Sequence, residues 1–331
     1  MTKYMKIGII ILAAATIAAT NITVSSLERP KAKVTARIVG ENGKAIIDAD
    51  VRFSFSGALD DTAVVKVEGM TDAQGEFAGE GYCRRDIGTS VTKDGYYEST
   101  VNLPKFTEHA GGKWQPWNPV CETILRPIGK PIALCAKKIQ ADVPVLDQPC
   151  GYDLEVGDWT APYGKGFKQD FIFKIHRDFK DQFNFKVEAE MTFKQPDDGL
   201  MPMTSPPVAH DSVFRWERYA PETGYNGTPR NLYFINHDPR SGQKQEKNFD
   251  FWKRDAGYFF RVRTVKQDGQ IVSACYGKTT GDIGIDPRDS KTCMIMLTYY
   301  FNPTSLDRNL EWDPKRNLFG GLTDMETARE P

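Results

Sequence analysis

The sequence predicts an all-β chain. We expect a small antiparallel β-sandwich followed by a larger β-sandwich or jelly-roll-like domain, after an N-terminal hydrophobic leader helix. Aromatic residues make up 11% of the chain, and long apolar patterns with the helical period are absent. The 28 glycines and 20 prolines are scattered between short β-rich runs. This combination favours strands joined by tight turns.

The N-terminus has the layout of a secretory leader. Lys3 and Lys6 precede an apolar run over residues 7–19, and the next charged residue is Glu28. We therefore predict that residues 1–26 are a signal peptide or an N-terminal membrane anchor. The run is short for a bilayer span of about 20 apolar residues, which favours cleavage. The chain is predicted to be exported to the periplasm, the cell surface or the medium. Contact with a membrane is expected only through an uncleaved leader.

Length and charge bound the remaining possibilities. A chain of 331 residues leaves room for two domains after the leader, and we predict them over residues 30–127 and 128–331. A net charge of −1 argues against a nucleic-acid partner. The hydrophobic and charged fractions, 40% and 26%, are ordinary for a soluble globular chain.

The first domain is predicted from alternation between turns. A strand over residues 34–39 leads to a turn at Asn42-Gly43. The following run places Val51, Phe53 and Phe55 on one face, as in a half-buried strand. We expect these three side chains to fill the core of an antiparallel sandwich over residues 32–104.

Further turns follow in the first domain, where Asp72 can bond its own downstream backbone and Gly75 and Gly95 suit positive φ. The stretches VTARIVGENGKAIIDADVRFSFSG, MTDAQGEFAGEG and IGTSVTKDGYYES carry these turns in order. Their order resembles the carboxypeptidase regulatory-like domain, a transthyretin-like module. The resemblance implies a structural and binding unit without catalytic residues of its own.

The second domain shows clearer alternation. Residues Phe171, Phe173 and Ile175 are expected to point inward, and His176 outward. Residues 183–193 alternate over their whole length, and a hairpin is predicted over residues 265–271 around Asp268-Gly269. Other predicted strands cover residues 139–146, 213–217, 231–236, 258–265, 271–276 and 294–301. The tail, residues 307–319, is predicted to lie along the sandwich surface through Leu310, Trp312, Leu318 and Phe319.

Six cysteines in an exported chain permit three disulfides. The sequence does not choose among the many connectivities. Proximity favours Cys275 with Cys293 and Cys135 with Cys150, which leaves Cys83 with Cys121. The alternative is that some of them are buried free thiols, which pack as small hydrophobic side chains.

Trp114 and Trp117 are candidate ligand-binding residues. Two tryptophans in the proline-rich stretch WQPWNP can form a flat platform for a sugar ring or a peptide. The alternative is that both fill the seam between the two domains, and we favour the seam because Trp is highly buried on average.

Three carboxylates, Asp282, Asp286 and Asp289, fall in a predicted loop over residues 281–289. Oxygen-rich loops suit Ca²⁺, so these residues are the candidate metal ligands. The EF-hand spacing is absent, and Arg288 and Lys291 can neutralise the same charges. No cofactor is predicted.

Motifs for catalysis are missing. The four histidines, 109, 176, 210 and 237, form no zinc motif, and no nucleophile elbow or phosphate loop occurs. Asp197 and Asp198 with Glu217 or Glu222 can supply a glycosidase pair only if the fold brings them together. The sequence therefore favours a non-catalytic exported protein with a binding, scaffolding or envelope-associated role. Its expected partner is an unidentified protein or glycan at the cell envelope. The alternative is a carbohydrate-binding or carbohydrate-processing protein.

Overall fold

A computed structural model describes residues 29–57, 64–84, 86–203, 208–209, 211–237, 242, 245–251, 256–289 and 291–330. The predicted leader, residues 1–26, lies outside this part. The described residues confirm the all-β prediction, with several antiparallel sheets. None of their helices is long and apolar enough to cross a membrane. The chain divides into two compact units, residues 1–128 with 211–215 and residues 129–210 with 216–331.

The first unit contains two sheets. Its strands are β1 (Lys31–Val39), β2 (Asp50–Ser56), β3 (Val64–Met70), β4 (Glu76–Tyr82), β5 (Ile87–Thr92), β6 (Glu108–Ala110), β7 (Lys113–Gln115) and β8 (Val120–Ile124). One sheet has the order β4-β1-β7-β6, with β8 parallel to β1, and the other has the order β3-β2-β5.

The core of the first unit lies between strands β1 and β2. Val51, Phe53 and Phe55 are at most 1% exposed and pack in one cluster with the apolar side chains of β1. The predicted inward face of β2 is confirmed. Glycines on β4 make room for these rings, because a Cβ at Gly79 would lie 2.4 Å from Phe53 and one at Gly81 would lie 2.6 Å from Phe55.

The predicted turns of the first unit have the expected backbone. Gly43, Gly75 and Gly95 have φ values of +73°, +76° and +80°, the region that favours glycine. Asp72 Oδ1 accepts the backbone N–H of Gln74 and of residue 76, each at 2.9 Å. Such a bond lets a carboxylate stand in for the backbone in a turn.

The second unit is a sandwich of two larger sheets. Its strands are β9 (Cys135–Asp142), β10 (Cys150–Asp153), β11 (Asp158–Trp159), β12 (Phe171–Asp181), β13 (Asn184–Thr192), β14 (Gly199–Pro202), β15 (Arg230–Asn236), β16 (Glu246–Lys247), β17 (Gly257–Gln267), β18 (Gln270–Asp286) and β19 (Met294–Asn302). One sheet has the order β11-β10-β12-β13-β15-β16 and the other β14-β17-β18-β19-β9.

Alternation decides which side chains fill the sandwich. Phe171, Phe173 and Ile175 are at most 1% exposed, as predicted. Phe171 meets Phe260 of the facing sheet edge-to-face, with ring centroids 5.2 Å apart. The hairpin between β17 and β18 has φ values of +50° and +79° at Asp268 and Gly269, which is the type I′ geometry that matches strand twist.

Two predicted segments differ in the structure. The predicted strand over residues 213–217 is wrong, because these residues form bends and a coil and residues 211–215 belong to the first unit. The predicted loop over residues 281–289 is strand as far as Asp286. Its glycines permit close packing, because a Cβ at Gly281 would lie 2.6 Å from the carbonyl oxygen of Phe251.

The C-terminal tail is tied to the second unit through buried groups. Leu310 and Trp312 are at most 1% exposed, whereas Leu318 is 51% exposed and is not the buried anchor that was expected. The Glu311 carboxylate accepts the backbone N–H of Gly129 at 2.7 Å and the Nε–H of Arg218 at 3.2 Å.

The cysteine pairing is wrong. All six cysteines lie in the described part of the chain, and each is a buried free thiol. Cys275 adjoins the Tyr276–Asn302 end of the β18–β19 hairpin, and Cys293 adjoins the Asp286–Met294 end. Eight residue steps of about 3.3 Å separate these ends, whereas a disulfide needs Cα atoms within about 7 Å.

The other two pairs fail for similar reasons. The Cys83 N–H bonds the carbonyl oxygen of Pro30, while Cys121 lies opposite Ala36 on the same strand β1. Six residue steps along β1 correspond to about 20 Å. Cys135 and Cys150 lie in different sheets of the second unit, and the Cys135 thiol contacts the carbonyl oxygen of residue 155 at 3.9 Å.

Candidate functional site: a cleft at a β-bulge in the second unit

A β-bulge interrupts strand β17. Val262 pairs with Cys275 and Val265 pairs with Ser273, so two residues of β17 face one residue of β18. Arg263, in the bulge, has a φ of +59°. A side chain other than glycine in this region costs of order 1–3 kcal/mol and persists only where its surroundings hold it. Bulges commonly redirect a side chain at a strand edge or beside a site.

Carboxylates hold the Arg263 side chain. Its Nε donates to Asp170 Oδ1 at 2.8 Å and its Nη2 donates to Asp170 Oδ2 at 2.7 Å. Nη2 also reaches Asp153 at 3.2 Å, and Nη1 donates to Glu155. The guanidinium lies 4.8 Å from the ring centroid of Phe301. Desolvation by burial lowers the Arg263 pKa, but the hydrogen bonds and charges of Asp170 and Glu155 raise it, and the net pKa is raised.

Asp153 organises the loop that forms one wall of the cleft described below. Burial opposes its ionisation, but hydrogen bonds from the backbone N–H groups of Lys168, Phe167, Val156 and Glu155 together lower its pKa. The contacts with Phe167 and Lys168 are both 2.9 Å long. The loop after β11 is therefore fixed by its backbone, which leaves the side chains of Phe167 and Lys168 available to solvent.

Asp198 lies at the floor of the same cleft. Its two oxygens accept the backbone N–H groups of Arg263 at 3.1 Å and Thr264 at 2.9 Å, which the bulge has turned away from β18. Burial raises the pKa of Asp198, and also that of Asp170. Thr264 Oγ1 lies close enough to lower the Asp198 pKa in part. This oxygen is buried, yet it forms no well-aligned hydrogen bond among the described groups.

These groups line an open cleft of about 240 Å³. Its lining residues are Phe167, Lys168, Gln169, Asp170, Lys194, Gln195, Asp198, Arg263, Thr264 and Val265. Phe167 is 86% exposed and Val265 is 53% exposed. The floor is polar and buried, and the rim carries a projecting aromatic ring, a β-branched side chain and two primary amides.

The paired-tryptophan platform is not formed. Trp114 is 6% exposed and belongs to the core of the first unit, where its Nε1–H donates to the Cys83 carbonyl oxygen at 2.9 Å. Trp117 is half-buried, with Lys113 Nζ 4.6 Å from its ring centroid. The structure does not support the platform, and it places Trp114 in the core of the first unit, not in the seam that was favoured. Trp114 satisfies its polar group within its own unit, which is the usual requirement for a buried Trp.

Each of the three predicted calcium ligands is bound to a different partner. Asp282 pairs with Arg230, and Asp286 pairs with Arg288. Asp289 Oδ1 accepts the backbone N–H of Lys291 at 2.7 Å. Across the described residues, no group of three carboxylate, histidine or cysteine side chains could hold a metal ion. The structure contradicts the calcium prediction.

The glycosidase candidates are likewise directed to different partners. The Arg261 guanidinium donates to the backbone carbonyl oxygens of Asp197 and Glu222, at 2.7 and 3.4 Å, so the fold does bring these two residues to one cation. Their carboxylates form separate ion pairs, Asp197 with Lys266 and Glu222 with Arg308. Asp198 is the candidate that lies in the cleft.

A second, shallower hollow of about 420 Å³ lies on the outer face of strands β12, β13 and β15. His176 lies in it, on the surface as predicted, with Nδ1 2.7 Å from Asp147. The hydrogen bond with Asp147 raises the His176 pKa. His109 stacks edge-to-face on Trp114, 5.5 Å between centroids, and His210 lies outside the described residues.

Among the residues that build the cleft, the sequence analysis singled out Asp198 alone as a candidate. Arg263 falls in a run that alternates like an ordinary strand, and Asp153, Asp170 and Asp198 are far apart in the chain. One signal was available. The irregular stretch over residues 157–166 separates two strands and carries a projecting Phe at its end, which is unusual for a loop that only connects.

Comparison with known proteins does not identify a family for this chain. No family model matches the chain, and no curated protein matches it. Among solved structures, it is similar to a mutant of the shaft pilin SpaA from Lactobacillus rhamnosus GG, at 11% identity over 81% of this chain and 93% of that chain. The TM-score is 0.19. The function is therefore inferred from this chain's own residues.

Proposed function

We propose that this chain is an exported, envelope-associated binding protein without catalytic activity, and that the cleft at the bulge of β17 is its binding site. One observation carries this proposal. The cleft combines a projecting Phe167 with buried carboxylates that are already engaged by Arg263 and by backbone N–H groups. The exposed ring offers contact surface to a ligand, and the amides and lysines that also line the cleft offer hydrogen bonds.

The bonding of the carboxylates argues for binding over chemistry. A nucleophile or general base needs a lone pair directed at the substrate, within about 3 Å. Both oxygens of Asp170 are held by Arg263, and the Asp170 Oδ2 atom also accepts the Leu154 N–H at 3.0 Å. Moving this side chain toward a substrate would leave Arg263 without its main partner.

Export is proposed from the leader. The basic start, the apolar run over residues 7–19 and the late first acidic residue are typical of secretory signals. Burial of all six thiols is compatible with an oxidising compartment, because separated cysteines cannot pair there. The proposal places the folded units outside the cytoplasmic membrane, with a protein or glycan of the envelope as partner.

The first unit is proposed to be a carboxypeptidase regulatory-like module. Its two-sheet architecture and the positive φ at Gly43, Gly75 and Gly95 support this assignment. Each of these glycines serves a turn, so none of them marks a reactive site. In this proposal the first unit acts as a spacer or docking module, and the second unit carries the binding cleft.

Two measurements test the proposal. Cell fractionation with an epitope tag at the C-terminus should place the chain in the envelope fraction or the medium. The purified chain should hydrolyse no peptide or glycoside in a broad substrate screen. A cytoplasmic location, or turnover that is lost in Asp198→Asn or Glu217→Gln, would overturn the proposal and favour the carbohydrate-processing alternative.

A further inference from the structure

Strand β3 is an open edge of the first unit. It is the last strand in the order β3-β2-β5, and among the described residues no other segment pairs with its free side. Its sequence, VVKVEGM, holds three valines and a methionine, and Val64 and Met70 are 51% and 62% exposed. An exposed apolar edge strand is a ready template for pairing with another strand.

The backbone groups on this free side can be assigned from the pairing with β2. Thr71, directly after β3, donates its N–H to the carbonyl oxygen of Ala49 at 2.9 Å. In an antiparallel pair every second residue bonds to the same neighbour, so Val65, Val67 and Gly69 bond to β2. The residues whose N–H and C=O groups face away from β2 are Val64, Lys66, Glu68 and Met70.

The edges of the second unit are short or covered. Strands β11 and β16 contain two residues each, and Leu200 of β14 exchanges backbone hydrogen bonds with Asn226. The C-terminal tail covers β9, where the Lys138 N–H donates to the carbonyl oxygen of Glu326 at 2.8 Å. These are usual protections against unwanted strand pairing. By contrast, β3 has seven residues, and no described segment pairs with its outer side.

The β3 sequence is complementary to itself. When two copies pair antiparallel with Val67 at the centre, Lys66 of each copy lies opposite Glu68 of the other. Val64 then lies opposite Met70 at both ends, so the most exposed apolar side chains of the strand cover each other. Opposite charges and apolar side chains directly across two strands are stabilising pairs.

This register also satisfies the backbone. Each residue whose N–H and C=O face outward lies opposite another such residue, so the two can exchange both hydrogen bonds of a narrow antiparallel pair. A slip by one residue would set a charged residue against Val67 and lose this match. The side-chain pairs and the backbone pairs therefore select the same register.

Charge distinguishes β3 from a protected edge. A lysine on an edge strand usually opposes pairing, but here Glu68 neutralises Lys66 across the two copies. Glu68 Oε1 accepts the Arg52 Nε–H, and a carboxylate can accept from a second cation as well. Strand β4, another seven-residue edge of this unit, carries Glu76 and Glu80 and no cation, so a second β4 would not neutralise it.

We propose that β3 is a self-association interface, through which two copies of this chain pair their β3 strands antiparallel about Val67. The interface is isologous, because the same residues contribute from both copies, and it therefore closes as a dimer. A single strand pairing buries less than about 1,200 Å², so the dimer is weak and depends on concentration. This inference does not involve the cleft, and it stands if the proposed binding role of the cleft fails.

The test is sedimentation equilibrium of the full chain, purified in the form that the cell produces, over a range of concentrations. We expect a reversible monomer–dimer equilibrium. Lys66→Glu and Glu68→Lys each set like charges opposite one another, and each should weaken the dimer about tenfold or more. An equimolar mixture of the two variants should associate again, because each strand then meets one of opposite charge. The double variant Lys66→Glu/Glu68→Lys should also dimerise.

Glu188→Lys is the matched control. Lys186 and Glu188 have the same spacing on β13 and form an exposed ion pair at 2.8 Å. Strand β13 lies between β12 and β15, so its backbone is paired on both sides and this variant should dimerise like the wild type. Thermal melts of every variant check that it is folded.

Loss of the dimer in both single variants and its return in their mixture would support the proposal, because mixing does not reverse misfolding. A chain that stays monomeric up to about 1 mM, a dimer that both charge reversals leave unchanged, or a mixture that stays monomeric would overturn it. Assemblies that grow beyond the dimer would also overturn it, since an isologous contact closes. Pairing of β3 with an extended segment of another protein, without self-association, would overturn the second copy as the occupant.

Discussion

Arg263 holds both carboxylate oxygens of Asp170, with Nε 2.8 Å from Oδ1 and Nη2 2.7 Å from Oδ2. Asp170 is 2% exposed, so this two-point contact neutralises a charge that water does not reach. The fork geometry of arginine suits a carboxylate better than the point charge of lysine does. The same guanidinium reaches Asp153, which holds the cleft loop. Strand β17, the loop and the cleft floor therefore depend on one cation.

Arg263→Met should destabilise the second unit by about 3–5 kcal/mol, because it leaves Asp170 and Asp153 buried without their cation. Hydrogen exchange of peptides from β12 and β13 reports the local free energy of opening. Lys266→Met is the control, since the Lys266–Asp197 pair is exposed and such pairs contribute about 0–1 kcal/mol. Equal effects of the two substitutions would contradict the assigned role of Arg263.

Asp198 should give the second unit a specific pH dependence. Burial raises its folded-state pKa above the ordinary value of 3.8. Its contribution to stability is therefore fully present below the unfolded pKa and is lost as the pH rises through the folded pKa. The Asp198→Asn variant does not titrate, so its stability relative to the wild type should increase between about pH 3 and pH 6.

Asp289→Asn supplies a control of opposite sign for the Asp198 experiment. Backbone hydrogen bonds from Lys291 and Thr292 lower the Asp289 pKa. Its contribution is present above the unfolded pKa and is lost as the pH falls through the folded pKa. The stability of Asp289→Asn relative to the wild type should therefore decrease over the same pH rise. Hydrogen exchange at several pH values measures both, and slopes of the same sign would refute the assignment.

Local patterns predicted much of the fold, because period-two alternation depends only on neighbouring residues. The inward set Phe171, Phe173 and Ile175 and the Asp268-Gly269 turn were found in this way. The bulge at Arg263 was not, since one extra residue in a strand changes the hydrogen-bond partners and leaves the alternation almost intact. Its φ of +59° is held by contacts with carboxylates that lie about a hundred residues away in the sequence.

Glycines misled the sequence interpretation at one place. Gly281 and Gly284 suggested a loop, and the nearby carboxylates then suggested calcium. Both glycines lie in β18, where Gly284 leaves room for Phe249 and Phe251. A glycine can serve a turn or a close approach, and only the folded partner decides which. The metal prediction and the Cys275–Cys293 pairing depended on that loop and are wrong for the same reason.

Gly79→Ala should destabilise the first unit by about 1–3 kcal/mol through overpacking. The new Cβ would lie 2.4 Å from Phe53 Cδ2, on a ring that is fully buried. Gly88→Ala is the matched control on β5, because its nearest contact is Ser54 Cβ at 3.4 Å. It should be neutral or slightly stabilising, since alanine loses less backbone entropy on folding. Hydrogen exchange of β1 and β2 peptides distinguishes the two variants.

The six thiols should all react with an alkylating reagent after unfolding and without a reductant. Each is buried in the folded chain, and burial raises the pKa of Cys135 to about 12 and that of Cys293 to about 11. Because the thiolate is the reactive form, the folded chain should be nearly inert at neutral pH. Intact mass spectrometry counts the labels, and a sample reduced before labelling gives the reference count. Fewer labels without reduction would reveal a disulfide and contradict the separations along β1 and along the β18–β19 hairpin.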